Sequence, residues 1–393
     1  MADEDIAKTI ATSLLMESEG YLRRQQYAQA LACCEQVLAS LPNHAGAWAN
    51  KARALAALHR VDEALAAAER ALTIDSTLAP AWHAKGMALA RIHSKRADAL
   101  AAYERALARD PAFAPSLINK AGLLSAVDRH DEALMVIDQA ITLDPAYGLA
   151  WTNKGVILIN LNRYEEALAA MNHAAELDPM SARILAHRGM ALKRLKRYAE
   201  AHQDYDRALA LDPTSLPAWI NLGSLLIDQG KFVEALYATD NALALDPNHL
   251  RAWANKAWIL YLLKRLDESS AAAERALALN PTDSSALNTK GLIFHARRRH
   301  KEALTCFQKA VQADPVFHYA WFNQGKTFIA LKKYPQALEA LNRGLALKPA
   351  DASIWKLRAE VLRQLGRCDE ARASDAQAEA LRNGKRRAEA HKT

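Results

Sequence analysis

The 393-residue sequence is short of the residues that build anything but helix. Its 14 glycines and 13 prolines are too few for long flexible linkers or a collagen-like chain, and with 51% apolar residues it has too much to bury to stay disordered. Aromatic residues make up 7%, and β-branched residues are sparse beside alanine and leucine. That balance excludes a large β-domain and favours helix almost throughout. The four cysteines, Cys33, Cys34, Cys306 and Cys368, are too few for a disulfide scaffold, and sequence neighbours rarely bridge each other. They read as reduced core thiols of a cytoplasmic protein. The opening MADEDIAK carries acids where an export signal needs positive charge, so no such signal is expected. The longest clean apolar run, Ala257 to Leu263, falls far short of the roughly 20 residues that cross a bilayer. Charge of one sign is missing too: 51 Lys and Arg are mixed with 44 Asp and Glu, so a net charge of +7 permits nucleic-acid or membrane affinity without indicating it.

What is present is a period. Prolines at 111, 145, 179, 213, 247, 281, 315 and 349 recur every 34 residues, and the frame extends back to Ser76 and Pro42 with one extra residue inside the segment IHSKRADAL. Eleven units then run from Ala11 to about Lys385. This sets the expected organisation: residues 1–10 extend the first helix, 11–385 form the array, and 386–393 are a polar basic tail or the end of a capping helix. Pro80, Pro115, Pro217 and Pro335 fall at first turns of helices, where a missing N–H costs little. The fourth position of each unit is Trp or Leu, as in Trp48, Leu117, Trp219 and Trp355; the eighth is Gly, Ala or Ser; the twentieth is Ala, with Ser269 the exception. Small residues at positions 8 and 20 let two antiparallel helices approach closely beside the large fourth residue. Each unit is therefore expected to be a helix hairpin that must stack on its neighbours to cover its apolar face. The fold expected is all-α, an α-α superhelix (solenoid) of about eleven hairpins.

The stretch WINLGSLLIDQGKFVEALYATDNALALDP, Trp219 to Pro247, resembles the tetratricopeptide repeat, whose 34-residue period sets Trp, Leu-Gly, Tyr, Ala and Pro in that order. The resemblance covers nearly the whole chain. Position 7 departs from the pattern in being mostly Lys or Arg, from Lys51 to Arg358, and TNKG at Thr152 to Gly155 has the bacterial and archaeal style of the repeat.

No constellation for chemistry stands out. Gly325-Lys326-Thr327 imitates the end of a phosphate loop, but Ala320 stands where that loop needs glycine, and the segment is expected mid-helix. The histidines show no zinc spacing, Cys33 and Cys34 cannot face one metal from one helix, and no Gly-x-Ser-x-Gly elbow occurs. Acidic pairs such as Glu165 and Glu166 open second helices, where the helix dipole favours them. No enzyme, cofactor or metal is expected.

The resemblance implies that function lies in an inner groove, lined by first helices at positions 2, 5, 6, 9, 12 and 13 of each unit. Position 6 is Asn in six units: Asn50, Asn119, Asn153, Asn221, Asn255 and Asn323. The family uses such amides to hold an extended peptide by its backbone, since an amide both donates and accepts; contacts to neighbouring helices are the alternative. Charge at the groove positions is lopsided, with Arg23, Arg53, Arg91, Arg183, Lys193, Arg194, Arg251, Lys326, Lys356 and Arg363 against Glu19, Asp228 and Glu360, which suggests an acidic guest. Trp258 alone among the tryptophans stands at position 9. With Tyr261, Ile220, Ile227, Leu292, Tyr319, Phe322 and Ile329 it makes an expected apolar stretch, the anchor of binding. The family's clamp for a terminal carboxylate is absent, since the only Lys at position 5 is Lys356, in the last unit. The function expected is a non-catalytic adaptor that binds an extended, acidic segment of another protein. A regulatory subunit of a separately encoded enzyme, or nucleic-acid binding through the basic groove, are the alternatives; a membrane is not an expected partner.

Overall fold

The computed structural model describes residues 2–390, with side chains described from 9 to 384. Among these residues the fold is all-α, with no strand. The chain forms two compact units, residues 1–211 and 212–393. The first holds α1 (Ala2–Arg23), α2 (Tyr27–Ser40), α3 (Ala45–Ala57), α4 (Val61–Ile74), α5 (Ala79–Ala90), α6 (Arg96–Arg109), α7 (Ala114–Ser125), α8 (His130–Leu143), α9 (Gly148–Asn160), α10 (Tyr164–Leu177), α11 (Ala182–Arg194) and α12 (Tyr198–Leu211). The second holds α13 (Leu216–Asp228), α14 (Phe232–Leu245), α15 (Leu250–Leu262), α16 (Leu266–Leu279), α17 (Ser284–Ala296), α18 (His300–Ala313), α19 (His318–Ala330), α20 (Tyr334–Leu347), α21 (Ala352–Gln364) and α22 (Cys368–Ala390). Within each unit, odd and even helices pair into hairpins, and each second helix packs on the next first helix. The first unit thus carries six hairpins and the second five. α1 contains residues 2–10 of the expected extension and α22 runs on to residue 390; residue 1 and residues 391–393 of the expected tail lie outside the described residues.

Three recurring contacts explain the repeat. All seven tryptophans at position 4 donate their indole N–H to the carbonyl at position 32 of the preceding unit, at 2.8 to 3.1 Å, as Trp48 does to Pro42 and Trp355 to Pro349. The ring thereby satisfies its one polar atom while its body packs between helices. Glycine at position 8 answers a large residue at position 24. A Cβ on Gly291 would lie 2.5 Å from Phe307, one on Gly189 2.7 Å from Tyr205, and one on Gly155 2.6 Å from Met171. Where position 24 is small, position 8 can be alanine, as in Ala257 with Ala273. Ser269, the exception at position 20, turns its hydroxyl onto the Ala257 carbonyl at 2.7 Å.

Position 7 couples neighbours. Lys51, Lys85, Lys120, Lys154, Lys256 and Lys290 reach the acid at position 25 of the preceding unit at 2.7 to 3.3 Å. Where position 25 is asparagine, position 7 is arginine: Arg188 lies against Asn172 and Arg358 against Asn342. Arg188 also forks onto the buried Asp204 at 2.8 and 2.6 Å. A guanidinium has donors to spare for an amide and a second acceptor, which an ammonium would hold less well.

First and second helices are joined by a tight cap. In every unit but the third, position 15 has positive φ, from Gln25 to Gly366, and eight of these ten residues are not glycine. The following N–H closes back onto the helix, as Arg197 does to the Leu192 carbonyl at 2.9 Å. The third unit spends its extra residue here, replacing the left-handed residue with a 3-10 turn over His93–Lys95. The first-turn acid of the second helix is held by position 16: Arg163 forks onto Glu166 with two bonds of 2.6 Å, the structural role expected for these acids. Of the cysteines, Cys33, Cys34 and Cys306 are buried as expected, whereas Cys368 is exposed, because it opens α22 on its outer side.

Candidate functional site

In residues 1–211 the first helices of five successive hairpins share one cavity of about 120 Å³. Leu22, Arg53, His83, Met87, Asn119 and Leu149 line it, at positions 12, 9, 5, 9, 6 and 2 of their units. These are the positions that the resemblance assigned to the groove. The convergence has a local cause. Ala54 and Ala56 of α3 meet Ala84 and Ala88 of α5 in one buried cluster, and side chains this small let the two helices pack face to face. His83 is fully buried, and its Nδ1 shares a 2.9 Å hydrogen bond with the Ser116 hydroxyl. Burial, and after it the nearby Arg53, pushes its pKa down to about 3, so the imidazole is neutral at pH 7.

The position-6 amides fall into two groups. Asn50 is buried and donates to the Ser18 hydroxyl at 2.9 Å while accepting from Arg53 at 3.2 Å; Asn323 is buried and donates to Asn288 at 2.9 Å; Asn119 is hydrogen-bonded to the buried Tyr103 hydroxyl. These three serve neighbouring helices. Asn153, Asn221 and Asn255 are half-buried and, among the described residues, make no side-chain hydrogen bond.

In residues 212–393 aromatic residues enter the groove positions, at Trp258, Tyr261, Tyr319 and Phe322. Trp258 and Tyr261 of α15 stack, with ring centroids 5.6 Å apart and planes 18° apart. Both are half-buried against the cluster of Leu292, Ala303 and Phe307, together with Phe294. Cations lie over the neighbouring rings: Lys264 over Tyr261 at 5.7 Å, Arg299 over Phe294 at 4.7 Å and Lys326 over Phe322 at 5.5 Å. Ile227, Phe322 and Ile329 are half-buried, but Ile220 and Leu292 are core. Ile220 packs with Ala242 and Leu243, because position 5 of α13 turns toward the second helix. Tyr319 is exposed and sits beside His318 under Lys348, at the loop end of its hairpin. It therefore stands apart from the Trp258 cluster. Arg251 and Lys326 are exposed; in the first unit Arg194 is exposed over the Tyr164 ring at 5.9 Å, and Lys193 is half-buried and engaged. Arg363 is paired with Asp375, which removes one cation from the groove excess.

Sequence reasoning counted Arg53 among the groove charges but missed its enclosure. The signal was available in part: Ala at positions 6 and 10 of the third unit, Ala84 and Ala88, marks a close helix approach.

Models of the tetratricopeptide repeat match residues 15–79 and 322–386, 124–189, 182–215 and 204–237. A model of the N-terminal tetratricopeptide-repeat region of Psidin matches 225–324. Among solved structures, the chain is similar to one in the APC/C hetero-tetramer Cut9-Hcn1, with a TM-score of 0.58 and 15% identity over 94% of both chains. It is also similar to a tetratricopeptide repeat protein from Parabacteroides merdae, with a TM-score of 0.52 and 19% identity over 63% of this chain and 98% of that one. At these identities the likeness is one of fold. No curated protein matches the sequence. No helix among the described residues is long and apolar enough to cross a membrane.

Proposed function

Because the chain belongs to the tetratricopeptide-repeat family, a family of protein-interaction scaffolds, we propose that it is a non-catalytic adaptor holding an extended, acidic segment of a partner protein against its first helices. The observation that carries this reading is the Trp258–Tyr261 stack. Two large rings stand half-exposed at positions 9 and 12, where hairpin packing needs neither, with cations over the neighbouring rings. Rigid rings that leave water on binding are the usual anchors of an interface. Asn221 and Asn255 offer unengaged amides for a guest backbone, and the exposed Arg251 and Lys326 favour acids in its side chains.

The test is capture of the partner from the native host, mapping of the bound segment, and calorimetry with the Trp258→Ala/Tyr261→Ala double variant. The expected loss is on the order of 2 kcal/mol or more in binding, with the melting temperature of the array nearly unchanged. An unchanged affinity refutes the anchor.

A further inference from the structure

A guanidinium stays charged at any pH a protein meets and carries five donors, so an enclosed one is stable only when acceptors surround it. Arg53 of α3 is half-buried at the wall of the 120 Å³ cavity. One of its donors, Nη1, reaches Asn50 Oδ1 at 3.2 Å. Among the described residues no carboxylate lies within ion-pair distance of it. Burial holds its pKa below the usual arginine range; Glu19 and Tyr147 favour its charge and Arg23 opposes it. Across the cavity His83 is neutral, so it neither competes for an anion nor supplies one. Asn119 and Tyr147 give the cavity further polar wall, and Met87 and Ile118 give it apolar wall.

We propose that this cavity seats an acidic side chain of the guest, its carboxylate against Arg53 and its methylenes against Met87 and Ile118. The proposal rests on the adaptor reading above and gives its acidic segment a place of contact. The seat is distinct from the family's clamp, which uses Lys at position 5 and Asn at position 9, where this cavity has His83 with Ile118 and Arg53 with Met87.

The experiment titrates three acetylated pentapeptides into the full chain: Ala-Ala-Glu-Ala-Ala amide, its Gln counterpart, and Ala-Ala-Ala-Ala-Ala with a free terminal carboxylate. Binding is followed by NMR, including the Arg53 side-chain Nε–H signal. The Glu peptide is expected to bind about tenfold tighter than the Gln peptide and to move that signal, as a charge-assisted fork requires. Arg53→Gln abolishes the preference, Arg53→Lys keeps part of it, and Trp258→Ala leaves it intact. Should Arg53→Gln fail to fold, the Nε–H response of the wild-type chain to Glu but not Gln still decides. Equal affinities for Glu and Gln, or a preference for the free-carboxylate peptide, overturn the seat, while Trp258-dependent binding of all three keeps the adaptor reading. Binding of none of the peptides overturns the seat and leaves the adaptor reading to be decided by the captured partner.

Discussion

Residues 1–211 and residues 212–393 stack the same hairpin and line it with opposite chemistry. In the first, alanines at α3 and α5 bring first helices together until an arginine, an imidazole and a phenol share a small, half-open cavity. In the second, Trp258, Tyr261 and Phe322 occupy groove positions, with Phe294 packed beside the first two, and stand partly in solvent with cations over or beside them. The framework positions, 4, 8, 20 and 32, play the same part in both. What differs is the size of the residues at positions 5, 6, 9 and 12. Framework and groove are thus written by different positions of one repeat, so a groove can change from half-open and polar to open and aromatic without altering how hairpins stack.

If the framework is common, breaking it should cost the same in either half. Gly291→Ala in the second unit and Gly189→Ala in the first each push a Cβ into a ring, at 2.5 Å from Phe307 and 2.7 Å from Tyr205. Each is expected to destabilise by about 3 kcal/mol through overpacking. Hydrogen exchange should show lost protection confined to the mutated unit and its neighbours. Phe307→Leu should recover most of the loss at 291; a lesion spread evenly over the whole chain would refute nearest-neighbour stability.

Acid should separate the two halves. The folded pKa values of His83 and His187 are depressed to about 3 and about 4, both chiefly by burial, against an unfolded value near 6.5. Their neutral forms contribute stability that is fully present above pH 6.5. It is lost as the pH falls toward 4, because the unfolded chain then binds protons that the fold cannot. For His187, whose Nδ1 is buried without a partner, the loss is on the order of 3 kcal/mol. Residues 1–211 should therefore lose amide protection before residues 212–393 on titration from pH 7 to 4.5, and His187→Leu should flatten that fall. In the second unit burial also lowers the pKa of His295 and His318, in the same direction. Simultaneous melting of the halves would show that these two buried histidines do not set the acid response.

The smallest effect is a gain. Lys196 and Lys332 hold φ of 61° and 56° in the interhelical cap, a conformation that L side chains adopt at a cost and glycine does not. Lys196→Gly and Lys332→Gly should each stabilise by about 0.5–1 kcal/mol, one in each half, as read from chemical melts. Equal gains would mark the cap as part of the common framework.

Those framework positions were legible in the sequence because each repeats eleven times and every recurrence tests the frame. Trp at position 4 and Pro at position 32 were visible as markers, although the indole–carbonyl bond that joins them required coordinates. The amides were harder, since their role depends on another unit. Asn50 is taken up because Ser18 stands opposite it, and Asn323 because Asn288 does, whereas Asn153 and Asn255 meet no such partner among the described residues. Burial of Ile220 was likewise a matter of which way one helix turns, which periodicity fixes only to within a fraction of a turn. The insertion could be bracketed from spacing to nine residues; the 3-10 turn shows that the cap absorbed it.

The partnership between positions 25 and 7 matches consecutive repeats at eight of their ten joints. Removing the third unit would set Glu69 opposite Lys120 and restore a lawful pair, and likewise removing the fourth would oppose Glu104 and Lys154. Removing the sixth would leave Asn172 opposite Leu222. The joint between the sixth and seventh repeats, with Asp206 opposite Leu222, already goes without such a pair, so the charge match adds to a joint that helix packing makes on its own.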